Sequence, residues 1–300
     1  MKAAALACAE AIPLVRGRVL DYLELTKPRI SLLVLFTVAA GGFLASGPQI
    51  DVLALFHAIL GTALVASGAS ALNQWLERHR DARMRRTENR PLPAGRLTPL
   101  EAMAFGLVLA VVGVAYLAVA LPPPWAALAA CGTFVGYVFI YTPLKTRTTL
   151  NTLIGAVPGA TPPLIGWIAL RGALSAEALA IFLILLVWQL PHFLSIAWIY
   201  RQDYTRGGYR MVTVHDHDGT RTAGRMIAYC GVLTLASLMP VFLGAAGPLY
   251  LAAALVLGIG FLACAVGFAR KRSNARARRV LHASLIYLPV LLALLMLDRP

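Results

Sequence analysis

Charge is scarce in this chain. Aspartate, glutamate, lysine and arginine make up 13% of its 300 residues, against about 25% in an ordinary soluble domain. That excludes a water-facing globular surface over most of the molecule. Acid is scarcer still, with 13 carboxylates against 27 lysines and arginines. Cysteine is nearly missing: Cys8, Cys131, Cys230 and Cys264 lie far apart with no CxxC pair, which excludes a zinc ribbon or a disulfide framework. They read as small apolar residues. No low-complexity segment marks a linker. Met1 to Val15 hold one lysine and an alanine-rich stretch broken by Glu10, and read as a tail rather than a cleaved signal peptide.

What is present is apolar: 59% of residues are hydrophobic and the mean hydropathy is +0.73. A helical span takes about 20 residues, and nine such runs fall at roughly 30–47, 52–76, 100–121, 124–143, 150–170, 176–200, 224–243, 247–269 and 280–297. Membrane β-barrels need alternating strands of about ten residues. Ala178–Val187 and Leu249–Gly260 are solidly apolar instead. The expected fold class is all-α, a polytopic membrane protein of about nine transmembrane helices. Residues 1–20 form a tail, and 21–300 a single membrane domain with polar caps at about 77–99 and 201–223.

With the N-terminus placed in the cytoplasm, every lysine and arginine except Arg171 and Arg299 falls on that side. This meets the positive-inside rule and favours an odd number of spans. The basic excess is therefore explained by a lipid bilayer, and no nucleic acid is needed.

The polar residues that carry chemistry gather at three places on the basic side. In the first, Asn73, Glu77 and Asp81 recur every four residues, and each such step turns about 40° and rises about 6 Å on a helix. Three oxygen-bearing side chains thus share one face, and seven arginines follow between Arg78 and Arg96. Oxygen ligands among arginines suit a magnesium-bound diphosphate. The plainer reading is that Glu77 and Asp81 neutralise Arg78, Arg85 or Arg86, but it leaves the uncharged Asn73 unexplained.

The second place is Trp188-Gln189-Leu190-Pro191-His192-Phe193, followed by Asp203-Tyr204. His192 and Asp203 are eleven residues apart, about 20° on a helix, so they share a face, with Gln189 close to it. Pro191 should bend the helix and free a carbonyl. Two plainer readings stand beside this one: an interior histidine hydrogen-bonded to a neighbouring span, and an aspartate paired with Arg201 or Arg206. The third place is the turn Tyr141-Thr-Pro-Leu-Lys145-Thr-Arg147. Lys145 and Arg147 act there as topology determinants or complete a diphosphate clamp, and Tyr141 can stabilise a cation through its face. His215-Asp216-His217-Asp218 looks metal-like in composition but reads as a solvated loop.

Asn73-Gln-Trp-Leu-Glu77 with Asp81, then Arg86-Thr87-Glu-Asn-Arg90-Pro91, resembles the first acidic motif of the UbiA-type intramembrane prenyltransferases. Four stretches resemble, more narrowly, the protoheme IX farnesyltransferases: Leu25-Thr26-Lys27-Pro28-Arg29; Asn73–Gly95; Tyr141 through Lys145, Asn151, Gly155, Gly159-Ala160-Thr-Pro162-Pro163 and Gly166-Trp167; and Trp188–Phe193 with Asp203-Tyr204. Glu77 stands where many relatives have aspartate.

The resemblance implies nine helices around a central cavity in a bacterial inner (cytoplasmic) membrane. It implies transfer of farnesyl from farnesyl diphosphate to the 2-vinyl group of protoheme IX (haem b), giving haem O and diphosphate. Mg2+ would be held by Asn73, Glu77, Asp81 and Asp203, and the diphosphate by Arg86, Arg90, Lys145 and Arg147. Tyr141 would shield the allylic cation, and His192 and Gln189 would contact the haem. Downstream partners would be haem A synthase or terminal oxidase assembly factors. Competing readings are a UbiA-type enzyme acting on an aromatic quinone precursor, a transporter, and a non-catalytic haem chaperone.

Overall fold

The computed structural model describes residues 17–47 and 49–299. The expected tail up to residue 16, including Cys8, lies outside the described residues. A first helix, α1 (17–25), opens the described chain with Asp21 and Leu25 buried, so ordered structure begins before the tail boundary expected at residue 20. Then come α2 (Pro28–Ala45), α3 (Val52–Asp81), α4 (Pro99–Ala120) and α5 (Trp125–Val135). The fifth helix runs through a π-helical turn, Gly136–Tyr141, into α6 (Thr142–Leu144). α7 (Asn151–Ala160) and α8 (Pro162–Arg171) make one span interrupted at Thr161, followed by α9 (Ala176–Ile199). Short α10 (Arg201–Arg206) and α11 (Val212–His215) precede α12 (Thr220–Phe242), α13 (Pro248–Arg270) and α14 (Asn274–Leu297).

Among the described residues nine helices are long and apolar enough to cross a membrane, and none forms a strand. The start signals are local. Pro occupies the first turn of α2, α4, α8 and α13, where its missing N–H costs nothing. Thr98 and Glu101 form a capping box at α4, and Asp51 Oδ1 accepts from Ala54 N at 2.9 Å at α3. Two boundaries differ most from the hydropathy reading. α3 continues past residue 76 to Asp81, because Glu77 and Asp81 are buried under the caps and do not end the helix at water. α14 starts at Asn274 rather than 280, with Ser273 Oγ accepting from Arg276 N at 3.3 Å.

Two apolar clusters form the interior. One joins α2, α8, α9, α12, α13 and α14 around Tyr250, Phe261 and Leu291. The other joins α3, α4, α5 and α8 around Val65, Leu117 and Ile165. The α2–α8 crossing is close: a Cβ on Gly166 would fall on the Val38 carbonyl, so only glycine permits it. Large apolar side chains such as Val119, Val256 and Phe242 are exposed on the outside of the bundle, as a lipid-facing surface requires. Cys131, Cys230 and Cys264 are unpaired thiols in spans.

Between the two clusters lies a cavity of about 340 Å³ lined from α2, α3, α5, the π-helical turn, α7, α8, α9 and α14. No Asp, Glu, Lys or Arg lines it. The polar exceptions include Thr62, whose buried hydroxyl has no partner, together with Tyr141, Gln189 and His192.

Candidate active site

The polar face of α3 is turned inward. Asn73, Glu77 and Asp81 are 2%, 5% and 1% exposed, and Asn73 Nδ2 donates to Glu77 Oε2 at 3.0 Å. Buried carboxylates need partners, and each has a cation from a different segment. Lys145 Nζ lies 2.9 Å from Glu77 Oε1, and Arg90 Nη1 lies 2.7 Å from Asp81 Oδ2. Lys27 Nζ donates to Asn73 Oδ1 at 3.2 Å. The plainer reading of local pairs with Arg78, Arg85 or Arg86 is not what forms. Arg78 instead donates to the Trp75 carbonyl at 2.7 Å and lies over the Trp75 ring.

Lys27 was not marked as a site residue by its sequence context. It caps α2 with left-handed backbone angles, φ 49° and ψ 60°, the one non-glycine residue with positive φ among those described. Such a conformation costs about 1–3 kcal/mol and recurs where function holds it. Burial, then the nearby charges of Arg90 and Lys145, lower its pKa to about 7. Lys145 behaves oppositely. Burial works most strongly against its charge, but the Glu77 carboxylate together with Tyr141, Tyr137 and Tyr209 outweighs it and raises the pKa well above the usual lysine range. A hollow of about 410 Å³ opens beside Lys27 and Arg90, and its wall residue Ile30 also lines the central cavity.

Three loops are laced together over this group. Arg96, in the loop after α3, pairs with Asp21 and, at 2.8 Å, with Glu24, tying that loop to α1. Thr87 Oγ1 donates to the Asp81 carbonyl at 2.8 Å. Asn151 Nδ2 donates to the carbonyls of Thr148 (2.7 Å) and Arg210 (2.8 Å), and Arg210 N donates to the Lys145 carbonyl at 2.9 Å. Tyr209, packed with Met84 and Met211, is buried beside Glu77; burial and then that charge push its phenol pKa up.

Tyr141 is the junction between the charged group and the cavity. It does not sit in the turn but ends the π-helical stretch, a feature common at functional sites. Lys145 Nζ stands 4.7 Å from its ring centroid, and the ring lines the cavity. Gly155 packs against it; a Cβ there would collide with the ring.

The remaining residues separate. Arg86 is exposed, stacked over Tyr200 at 4.6 Å and 3.4 Å from the Tyr204 hydroxyl, so it bridges two caps rather than reaching the carboxylates. The Arg147 side chain is exposed, and its carbonyl accepts from Arg210. Gln189 spends both amide protons on Ala156 O (3.2 Å) and Leu185 O (3.0 Å), which makes it a tie between α9 and α7. His192 lines the cavity, with Nδ1 2.7 Å from Ser284 Oγ and its ring stacked on Trp188.

The shared face expected for His192 and Asp203 does not exist. α9 continues through Pro191 but ends at Ile199, and Tyr200 leaves helical geometry at φ −106°, ψ 23° before α10 begins. Asp203 faces Arg206 at 3.6 Å. Asp216 corrects the reading of 215–218 as a solvated loop. It is 4% exposed and accepts from Thr222 N at 2.7 Å and Thr222 Oγ1 at 2.6 Å, organising the start of α12.

Among the described residues no cluster of three or more His, Cys, Asp or Glu could hold a metal alone. Two carboxylates and an amide oxygen fit magnesium, which takes one or two carboxylates, waters and substrate phosphates.

A profile described as the UbiA prenyltransferase family matches residues 34–288. The chain belongs to the UbiA prenyltransferase family. Within it, the protein named protoheme IX farnesyltransferase from Solibacter usitatus is 46% identical over 290 residues, covering 93% of this chain and 99% of that protein. The protein of the same name from Salinibacter ruber is also 46% identical, covering 93% and 98%. The UbiA fold is shared by a digeranylgeranylglyceryl phosphate synthase structure (TM-score 0.78, 17% identity, 94% and 98% covered). It is shared too by a UbiA homologue from Archaeoglobus fulgidus bound to GPP and Mg2+ (TM-score 0.64, 17% identity, 92% and 99% covered).

Proposed function

We propose that this UbiA enzyme transfers the farnesyl group of farnesyl diphosphate to the 2-vinyl group of haem b, releasing diphosphate and forming haem O. The observation that carries the prenyl-transfer reading is the cation–carboxylate group of α3 set directly above an apolar, uncharged cavity, with Tyr141 at the join. Relatives at 46% identity named protoheme IX farnesyltransferase support haem as acceptor.

Charge balance supports the diphosphate assignment. Glu77 and Asp81 set against Lys27, Lys145 and Arg90 leave one net positive charge when Lys27 is protonated. A prenyl diphosphate trianion with one magnesium leaves one net negative charge, so ligand and site neutralise each other. On binding, Lys145, Arg90 and Lys27 turn from the α3 oxygens to the phosphate oxygens. Asn73, Glu77 and Asp81 are thereby freed to hold the metal. Magnesium would supply charge stabilisation to the departing oxygens.

The residues do the rest. The cations stabilise charge that grows as the C1–O bond of farnesyl diphosphate breaks. The apolar cavity keeps water from the allylic cation, and the Tyr141 face lies next to it. The vinyl terminal carbon bonds to farnesyl C1; water adds to the adjacent carbon and loses a proton, leaving the hydroxyethylfarnesyl group. Arg86, Arg147 and Asp203 stand outside this group; Arg86 joins the cap after α3 to Tyr200 and Tyr204. The basic face with its three caps is the cytoplasmic one, in a bacterial inner membrane, with haem A synthase or oxidase assembly factors receiving the product.

The test is to incubate the purified protein with farnesyl diphosphate, Mg2+ and either haem b or an aromatic acid, and to weigh the products by mass spectrometry. A farnesylated, hydrated haem supports the assignment. A prenylated aromatic acid with unaltered haem refutes it.

A further inference from the structure

His192 is held from two sides. Its ring stacks on Trp188 with centroids 4.9 Å apart and planes at 24°, and Trp188 Nε1 donates to the Ser284 carbonyl at 2.8 Å. Its Nδ1 lies 2.7 Å from Ser284 Oγ, and Ser284 is fully buried on α14.

Proton accounting fixes the direction of that bond. Ser284 Oγ also lies 2.6 Å from the Leu281 carbonyl. A carbonyl can only accept, and a serine hydroxyl has one proton to give. That proton goes to Leu281. Ser284 therefore meets His192 with a lone pair, and Nδ1 must carry a hydrogen. In a neutral imidazole with hydrogen on Nδ1, Nε2 carries no hydrogen and presents a free lone pair. Nε2 has no hydrogen-bond partner among the described residues, while His192 lines the cavity. This is the arrangement of a metal-ligating histidine, whose second nitrogen is held by an outer partner.

We propose that Ser284 is a positioning residue that locks His192 in the Nδ1–H tautomer, so that Nε2 binds the iron of the haem acceptor from within the cavity. The ligand part rests on the haem reading above; the tautomer part does not. Trp188 keeps the ring plane fixed against rotation. Gln189, one residue after Trp188, has no free amide proton to compete for the same acceptor.

Two measurements test this on the full-length purified protein. The first is nitrogen NMR of histidine-labelled, haem-free protein, with His192→Gln assigning the signal. The expected result is a protonated Nδ1 and an unprotonated Nε2. A protonated Nε2 overturns the proposal without touching the haem reading. The second is haem b titration followed by absorption. A histidine-ligated spectrum is expected for the parent, its loss in His192→Ala, and binding weakened about tenfold or more in Ser284→Ala. Ser284→Thr, which keeps the acceptor oxygen, should recover most of it if the chain folds. Unchanged haem affinity in a folded Ser284→Ala protein overturns the positioning role. An Nδ1–H ring in a protein that farnesylates haem b without ligating it through His192 overturns the ligand assignment and leaves the haem reading standing.

Discussion

Removing the charge of Glu77 alone should cost more stability than removing it together with Lys145. In Glu77→Gln the Lys145 ammonium loses its counter-ion, which lies 2.9 Å away, while its side chain remains only 12% exposed. An uncompensated buried charge costs about 3–5 kcal/mol, whereas replacing both members of a buried pair by neutral groups is often close to neutral. Glu77→Gln/Lys145→Met should therefore recover most of the lost stability. It should recover none of the turnover, because both a metal ligand and a diphosphate cation are gone. A loss of at least about a thousandfold, or about 4 kcal/mol of transition-state stabilisation, is expected in single and double variants alike. Denaturation midpoints in detergent and product haem by mass spectrometry read the two quantities separately. The reasoning is refuted if activity returns with stability in the double variant, or if Glu77→Gln is as stable as the parent.

Three further outcomes follow from the same geometry. Lys27 titrates near 7 in the folded chain and at about 10.4 unfolded. Between those values the unfolded chain binds more protons, so stability in metal-free buffer should rise with pH across that window. Lys27→Met should flatten that rise, and an unchanged slope contradicts the assignment. Gly155→Ala places a methyl against the Tyr141 ring, and overpacking of this kind costs about 1–3 kcal/mol. The variant should fold and lose turnover at least about tenfold; parental activity would show that the Tyr141 position does not matter. Asp203→Asn breaks only a partly exposed pair with Arg206, worth at most about 1 kcal/mol. It should retain activity within about threefold, and abolished turnover would restore Asp203 to the metal-binding group.

The spans could be read in advance because twenty-residue apolar runs have few alternatives in a bilayer, and the Asn73–Glu77–Asp81 face because helical spacing is a local property. Their partners could not. Lys27 reaches Asn73 across 46 residues and Lys145 reaches Glu77 across 68, and helix packing alone decides such contacts. Lys27 lay in a stretch already matched to the family, and its position before Pro28 was the available signal. The His192–Asp203 relation failed at one residue, Tyr200, where a helix assumed continuous breaks. Gln189 and His192 looked alike in sequence. Proton accounting separates them: one is spent on helix ties and the other keeps a free nitrogen at the cavity.

The most direct test of the account is Mn2+ substituted for magnesium in protein bound to a non-reactive thio analogue of farnesyl diphosphate, with manganese–phosphorus coupling measured by electron–nuclear double resonance. Coupling in the parent that disappears in a folded Asp81→Asn protein is the predicted result. Coupling that persists unchanged in that variant would place the metal and its diphosphate away from the α3 oxygens and contradict the account.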